Sequence, residues 1–314
     1  MGNVWNSAAF GQRYLLWRRL RMNKVLSNKK TVAIFILPSL ILFAVFVLIP
    51  IIYNVYISLF QTDLMGTKNF VGLRNYMNLF NDQFFLKALK NNAMLVVGSL
   101  IAHLPLALVF GNFIFTKIRG SKFFQSVFFL PSVICGAGVG IMFKMIYNSE
   151  FGLVNALLDL LHMPQFKHSW LNEEKTVMFA MILVVMWKFV GYHMVIQLAA
   201  MRSIPGELYE SARIDGASMW QQFTKITLPL IKHVIRIDVV LIITGSLKYF
   251  DLIWSMTKGG PNHASEVMAT YMYYQGFRTL KFGYASAIGV VLLVLCAAVI
   301  WLVNHLIRVE QMEY

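Results

Sequence analysis

Residues 31–62 read TVAIFILPSLILFAVFVLIPIIYNVYISLFQT, 32 positions from Thr31 to Thr62 without a charged side chain. About 20 apolar residues cross a bilayer as a helix, so this stretch predicts a membrane span. It is far longer than the ~7–15-residue core of a signal peptide, and no small-x-small cleavage site follows it. Other stretches repeat the pattern. Asn91 to Thr116 is uncharged for 26 residues, Phe123 to Phe143 for 21 and Phe282 to Ile307 for 26. Thr176 to Met201 is apolar except for Lys188. A sixth segment, about His233 to Thr257, carries Arg236, Asp238, Lys248 and Asp251 and reads as a span with a polar face. The pattern predicts an all-α membrane protein with six transmembrane helices.

Composition agrees. Of 314 residues, 58% are hydrophobic and 13% charged, against about 25% charged in ordinary soluble domains. A soluble fold could not hide that much apolar surface, so lipid must cover part of it. This excludes a soluble enzyme, a disordered chain and a secreted disulfide scaffold. Cys135 and Cys296 each sit in an apolar run and imply neither a disulfide framework nor a zinc site.

The net charge of +14 is explained by topology. Residues 1–30 hold seven Lys or Arg and no acid. With Lys117, Arg119, Lys122, Arg202, Arg213, Lys225, Lys232, Arg236 and Arg308, one face holds 16 cations against nine on the other, and Lys144, Lys188 and Lys248 lie in spans. Excess cationic charge stays cytoplasmic, so both termini are predicted inside and no nucleic-acid partner is needed. The expected organisation is a basic segment over 1–30, the six-span domain over 31–308, a cytoplasmic loop over 201–231 within it, and a tail over 309–314. Arg13 to Lys30, with nearby Trp5, Tyr14 and Trp17, reads as an interfacial helix or as a basic flank that sets topology.

No G-x-x-x-x-G-K-[ST], H-E-x-x-H, C-x-x-C or G-x-S-x-G occurs, so the chain shows no ATP-phosphate cradle, zinc site or serine nucleophile of those kinds. The seven histidines show no metal spacing, and His103 and His193 read as satisfied helix residues.

The loop Met201-RSIPGELYESARIDGASMWQQFTKITLPL-Ile231 stands apart. Pro205 suits a helix start. Leu208, Tyr209 and Ala212 make one apolar stripe, Gly216 fits a left-handed C-cap, and Ser218 with Gln221 reads as a capping box. Met219, Trp220, Phe223 and Ile226 form a second stripe. Two short amphipathic helices thus meet at a glycine elbow. The loop is either a connector packed on its own bundle or a docking element, its ridge carrying Tyr209 and Trp220.

Glu210-Ser-Ala-Arg-Ile-Asp-Gly216, nine residues, then Ile226-Thr-Leu-Pro229 resembles the EAA motif of ABC importer permeases: E-A-A, three residues, G, nine residues, I-x-L-P. Ser211 replaces the usual second Ala, a small residue for a small one. Phe70-Val-Gly-Leu-Arg-Asn-Tyr76, Tyr249-Phe-Asp-Leu-Ile-Trp254, Thr257-Lys-Gly-Gly-Pro261 and Gly283-Tyr-Ala-Ser-Ala287 resemble the carbohydrate, maltose-transporter-like branch. The resemblance covers roughly residues 31–308. It implies a type I importer permease fold in a bacterial plasma membrane. The implied partners are a second permease in a heterodimer, two ATPase subunits and an extracellular substrate-binding protein. ATP and magnesium would be held by the ATPases, with no cofactor in this chain. Leu208, Tyr209, Glu210, Ser211, Ala212, Asp215, Gly216 and Trp220 would then form the coupling surface.

Ionisable residues inside spans are candidates for a substrate path. At ~100° per residue, Thr244, Lys248, Asp251 and Ser255 fall within an arc of about 60° on the fifth span, and Lys248 and Asp251 can pair. Tyr249 and Trp254 flank them, a chemistry that suits sugar hydroxyls and C–H faces. A structural ion pair is the alternative. Lys188 with Tyr192 on the fourth span is a second candidate, and lysines in spans favour an anionic glycan slightly. Gly136 and Gly140 read as a helix-packing pair, and Pro131 as a kink.

The function predicted is therefore the permease subunit of an ABC importer moving a carbohydrate inward. A permease for a sugar or polyol phosphate such as glycerol phosphate remains open. A stand-alone secondary transporter or channel would need relay carboxylates in several spans, whereas Asp238 and Asp251 share one.

Overall fold

The computed structural model describes residues 29–62, 68–116 and 119–307. The anticipated interfacial helix and the tail over 309–314 lie almost wholly or wholly outside them. Among the described residues, five helices are long and apolar enough to cross a membrane, and one bent pair, taken as one span, makes six.

The chain divides into two units at Tyr56/Ile57. The first unit holds most of α1 (Val32–Ser58). Its side chains are apolar and largely exposed, with Phe35 at 77%, as suits a helix that meets lipid or another subunit.

The second unit begins with a short antiparallel ribbon, β1 (Phe60–Thr62) paired with β2 (Lys68–Phe70), that the sequence reading did not anticipate. Next come α2 (Arg74–Phe80) and the long α3 (Gln83–Phe115). The Asp82 side chain accepts hydrogen bonds from the backbone N–H groups of Phe84 and Phe85 and so caps α3. Asp82 also accepts from the Tyr271 and Tyr284 hydroxyls, at 2.5 and 2.6 Å.

The third span is not one helix. It is α4 (Ser121–Val133) and α5 (Gly136–Ile146), bent by 96°. Ile134 and Cys135 are extended between them. Pro131 lacks a backbone donor, and the carbonyls freed at the break need a new partner. They find it in Lys188, whose Nζ donates to the carbonyls of Pro131, Ser132 and Ile134. Helix α6 (Leu153–Leu160) lies between the third and fourth spans.

The fourth span, α7 (Val177–Arg202), packs along α3 and α4. Gly191 is the reason α4 can come so close: a Cβ there would overlap the backbone of Phe128. The loop after α7 folds as α8 (Gly206–Ile214) and α9 (Met219–Gln222).

The fifth span is also broken, into α10 (Lys232–Leu247) and α11 (Asp251–Met256). Here Asn92 of α3 supplies the missing donors. Its Nδ2 donates to the carbonyls of Ser246 and Leu247, both at 3.2 Å. Its Oδ1 accepts from the N–H of Met268 at 2.8 Å. Asn91 does the same for the following loop, donating to Glu266 O and His263 O. The last elements are α12 (Met268–Tyr273) and the sixth span α13 (Phe282–Leu306). Two main cores form, one around Leu95, Met181, Val184, Leu252 and Ile253, the other around Leu79, Phe85, Tyr271 and Ile288.

Candidate functional site

The break in the fifth span redraws the polar arc. An angular register counted along a continuous helix fails where the helix stops, and it stops at Leu247. Lys248 and Asp251 form no ion pair. The Asp251 carboxylate lies against Gly136 and Ser255 lies against Gly140, where added Cβ atoms would overlap them. The Gly136/Gly140 pair therefore packs α5 on α11 within this chain. Lys248 is exposed. Thr244 returns its hydroxyl to Val240 O at 2.7 Å. Trp254 stacks on Phe250 and meets Tyr273 edge to face. Lys188 is 4% exposed and holds the α4/α5 break.

Two of the anticipated path residues do meet. Tyr192 and Tyr249 line a cavity of about 290 Å³ together with His103, Val185, Phe189, His193, Leu241, Ile242, Gly245 and Ser246. Its wall comes from the interiors of α3, α7 and α10, and from Tyr249 in the gap before α11. A larger cavity of about 430 Å³ lies instead at helix ends, against β1, α2 and the start of α13.

Behind the cavity is a buried polar cluster. Asp238, fully buried, accepts from His193 Nδ1 at 2.7 Å and from Gln197 Nε2 at 2.8 Å. The His193 ring lies 5.0 Å from that of His103. His103 Nε2 faces Val185 O at 3.2 Å. His103 Nδ1 and the Tyr249 hydroxyl are buried without a hydrogen-bond partner among the described residues. Both histidines are helix residues, as anticipated, but His103 is only half satisfied. One sequence signal could have found the cluster: His193, Gln197 and Asp238 are three of the few polar residues in otherwise apolar spans. What one helix cannot reveal is that two helices bring them together.

The loop between the fourth and fifth spans matches its anticipated form closely. Gly216 has φ +79°. Ala217 N–H donates to Ala212 O and Gly216 N–H to Arg213 O, the paired bonds of a left-handed helix stop. Ser218 and Gln221 form the reciprocal cap. One assignment needs correction: Tyr209 does not stand on an outward ridge. It is 8% exposed, shares a hydrogen bond with Thr227 Oγ1 at 2.9 Å, and packs by the Phe115 ring. Burial pushes its phenol pKa up, and the Thr227 bond only partly opposes this. Tyr209 ties the elbow to the bundle. The outward apolar surface consists of Leu208, Ile214, Met219 and Trp220, with Ile214 at 88% exposure and Trp220 at 71%. Glu210, Ser211, Asp215 and Gly216 are exposed beside it, and Ala212 is half-buried.

Residues 94–309 match the family described as binding-protein-dependent transport system inner membrane component. The chain is 40% identical over 279 residues to the probable ABC transporter permease protein YurN of Bacillus subtilis (strain 168), covering 86% of this chain and 94% of that one. It is 35% identical over 289 residues to the arabinooligosaccharides transport system permease protein AraP of the same organism, covering 90% and 89%. In a solved structure of a bacterial ABC transporter involved in the import of the acidic polysaccharide alginate, one chain aligns with a TM-score of 0.80 at 25% identity, covering 93% of this chain and 100% of that one.

Proposed function

The chain belongs to the family of binding-protein-dependent transport system inner membrane components, and from that membership we propose that it is the membrane-spanning permease subunit of an ABC importer that carries a carbohydrate inward. The observation that carries the reading is the cavity among α3, α7 and α10. Its aromatic walls, Phe189, Tyr192 and Tyr249, offer faces for sugar C–H groups. His103, His193 and Ser246 offer hydrogen bonds beside them. Its size sits at the low end of ligand pockets, about 300–1,000 Å³, so it takes a short saccharide or one end of a longer one.

The remaining parts of the proposal take up the organisation that the family resemblance implies. The elbow surface, Leu208, Glu210, Ser211, Asp215, Gly216 and Trp220 with Ile214 and Met219, seats in an ATPase groove. Ala212 and Tyr209 hold that surface in shape. ATP and magnesium are bound by two ATPase subunits, and this chain holds no cofactor and catalyses no hydrolysis. A second, different permease completes the pathway, and an extracellular binding protein delivers the cargo. Both termini face the cytoplasm of a bacterial plasma membrane.

The test is affinity purification of the tagged chain from its native membrane. A second permease and an ATPase should co-purify, and ATP turnover should rise on adding the binding protein loaded with saccharide. A chain that purifies alone and moves sugar without ATP would refute the assignment. Topology is checked separately in a background with Cys135 and Cys296 replaced. Asn3→Cys should resist an impermeant thiol reagent in intact cells, and Leu160→Cys, at an exposed site, should react.

A further inference from the structure

Family membership leaves the charge of the cargo open, and lysines within spans, read from sequence alone, favour an anionic one slightly. Neither Lys188 nor Lys248 lines the cavity, and the Lys188 ammonium sits behind its wall, 5.1 Å from the centre of the Phe189 ring. We infer that His103 Nδ1 accepts a hydrogen bond from a sugar hydroxyl, and that the cavity thereby selects an uncharged saccharide over a uronate or a sugar phosphate. This rests on the reading of the cavity as part of the carbohydrate path.

The first argument is charge. None of the cavity-lining residues is a Lys, Arg, Asp or Glu. The ammonium of Lys188 is taken by three backbone carbonyls at the α4/α5 break. Lys248 is exposed and does not line the wall. The Asp238 carboxylate behind the wall accepts from His193 and Gln197 and supplies no positive charge. A carboxylate or phosphate entering here would leave water and find no cation in the wall to hydrogen-bond it, which is unfavourable.

The second argument is the tautomer of His103. A carbonyl oxygen only accepts, so at 3.2 Å from Val185 O the Nε2 of His103 carries the proton and donates. A neutral imidazole then has a bare lone pair at Nδ1. That atom has no partner among the described residues. A lone pair attracts a hydroxyl hydrogen and repels an anionic oxygen. The Tyr249 hydroxyl, also unpartnered, can serve the same sugar as donor or acceptor. A buried acceptor left empty is unfavourable, and an O–H of the cargo satisfies it without adding charge.

The chemistry of His103 allows a test that separates this role from a structural one. Glutamine places its amide near the Nε2 position, retaining the bond to Val185 but losing the acceptor at Nδ1. Asparagine places its oxygen near Nδ1 and loses the Val185 bond. The assembled complex in nanodiscs is dialysed against a pool of neutral di- and trisaccharides and a matched pool of uronic oligosaccharides. Retained sugars are read by mass spectrometry, and basal ATP turnover monitors integrity. The wild type should retain neutral species and exclude uronic ones. His103→Gln should weaken retention about five- to ten-fold, the loss of one hydrogen bond, and His103→Asn should stay within about three-fold of wild type. Equal retention of uronic sugars, or normal binding by His103→Gln with loss in His103→Asn, overturns the inference while leaving the carbohydrate reading in place. Retention of no saccharide by an intact wild-type complex overturns both.

Discussion

The elbow at Gly216 offers the sharpest test of the proposed docking surface. Its φ of +79° is one that side-chain-bearing residues rarely adopt. A Cβ added there meets nothing within 4 Å, so a substitution is free of steric clash and the backbone alone decides its cost. The left-handed conformation costs an L-residue roughly 1–2 kcal/mol, and a β-branched residue stands at the upper end. The chain can escape the strain only by opening the Ala217–Ala212 and Gly216–Arg213 bonds, at about 1 kcal/mol each. Either way Gly216→Val disfavours the elbow by about 2 kcal/mol, a factor of about 30 in its population. The exposed Trp220 and Ile214 would then leave their mutual register, while the spans are untouched. The assay is ATP turnover stimulated by the loaded binding protein, with the ATPase co-purified as the assembly control. Stimulation should fall about ten-fold or more in Gly216→Val, fall less in Gly216→Ala, and remain near wild type in Gly216→Asn, since asparagine tolerates this conformation. Wild-type stimulation in Gly216→Val, or an Asn variant as poor as Val, would show that the backbone conformation is not what matters.

Further tests address the bundle. Asn92→Leu strips the broken fifth span of its carbonyl partners and the Met268 N–H of its acceptor; it should cost about 2–4 kcal/mol through buried groups left unpaired, seen as a lower melting temperature of the purified complex, and an unchanged melt would remove Asn92 from its bridging role. Gly191→Ala forces a Cβ against the rigid Phe128 backbone, whereas Gly98→Ala meets only the flexible Ile182 side chain; the first should destabilise by about 1–3 kcal/mol and the second by less, and the reverse ranking in thermal melts would contradict the α4–α7 packing. Asp82 titrates below the usual carboxylate value of 3.8: burial raises it, but the hydrogen bonds from Tyr271, Tyr284, Phe84 and Phe85 outweigh that. A depressed folded pKa stabilises above the unfolded value and is lost as pH falls through the folded one, so stability should drop below about pH 4, and Asp82→Asn should be less stable at neutral pH with a shallower acid decline in a pH-resolved melt.

What the sequence determined by itself was everything that one segment can express. Thr31 to Thr62 declares a span because water cannot cover it, and the other five apolar runs follow the same rule. Gly216, Ser218 and Gln221 declare the elbow because a left-handed stop and a reciprocal cap are local backbone chemistry, complete within a few residues. Tertiary structure decided what depends on two segments meeting. The fifth span breaks after Leu247 because Asn92, some 154 positions away, takes the carbonyl of Ser246. Nothing between Lys232 and Met256 announces that partner, so a helical register carried through the gap misplaced Lys248 and Asp251. Lys188 looked like a lining charge from its own helix, and only the bend at Ile134 turns three carbonyls toward it. Tyr209 looked outward on a stripe and turns inward to Thr227. The cavity is the extreme case, since its wall joins three helices and no one of them carries its shape. Lipid exposure and capping are properties of a segment, whereas breaks, pairings and cavities exist only once a distant donor arrives to satisfy the polar groups they expose.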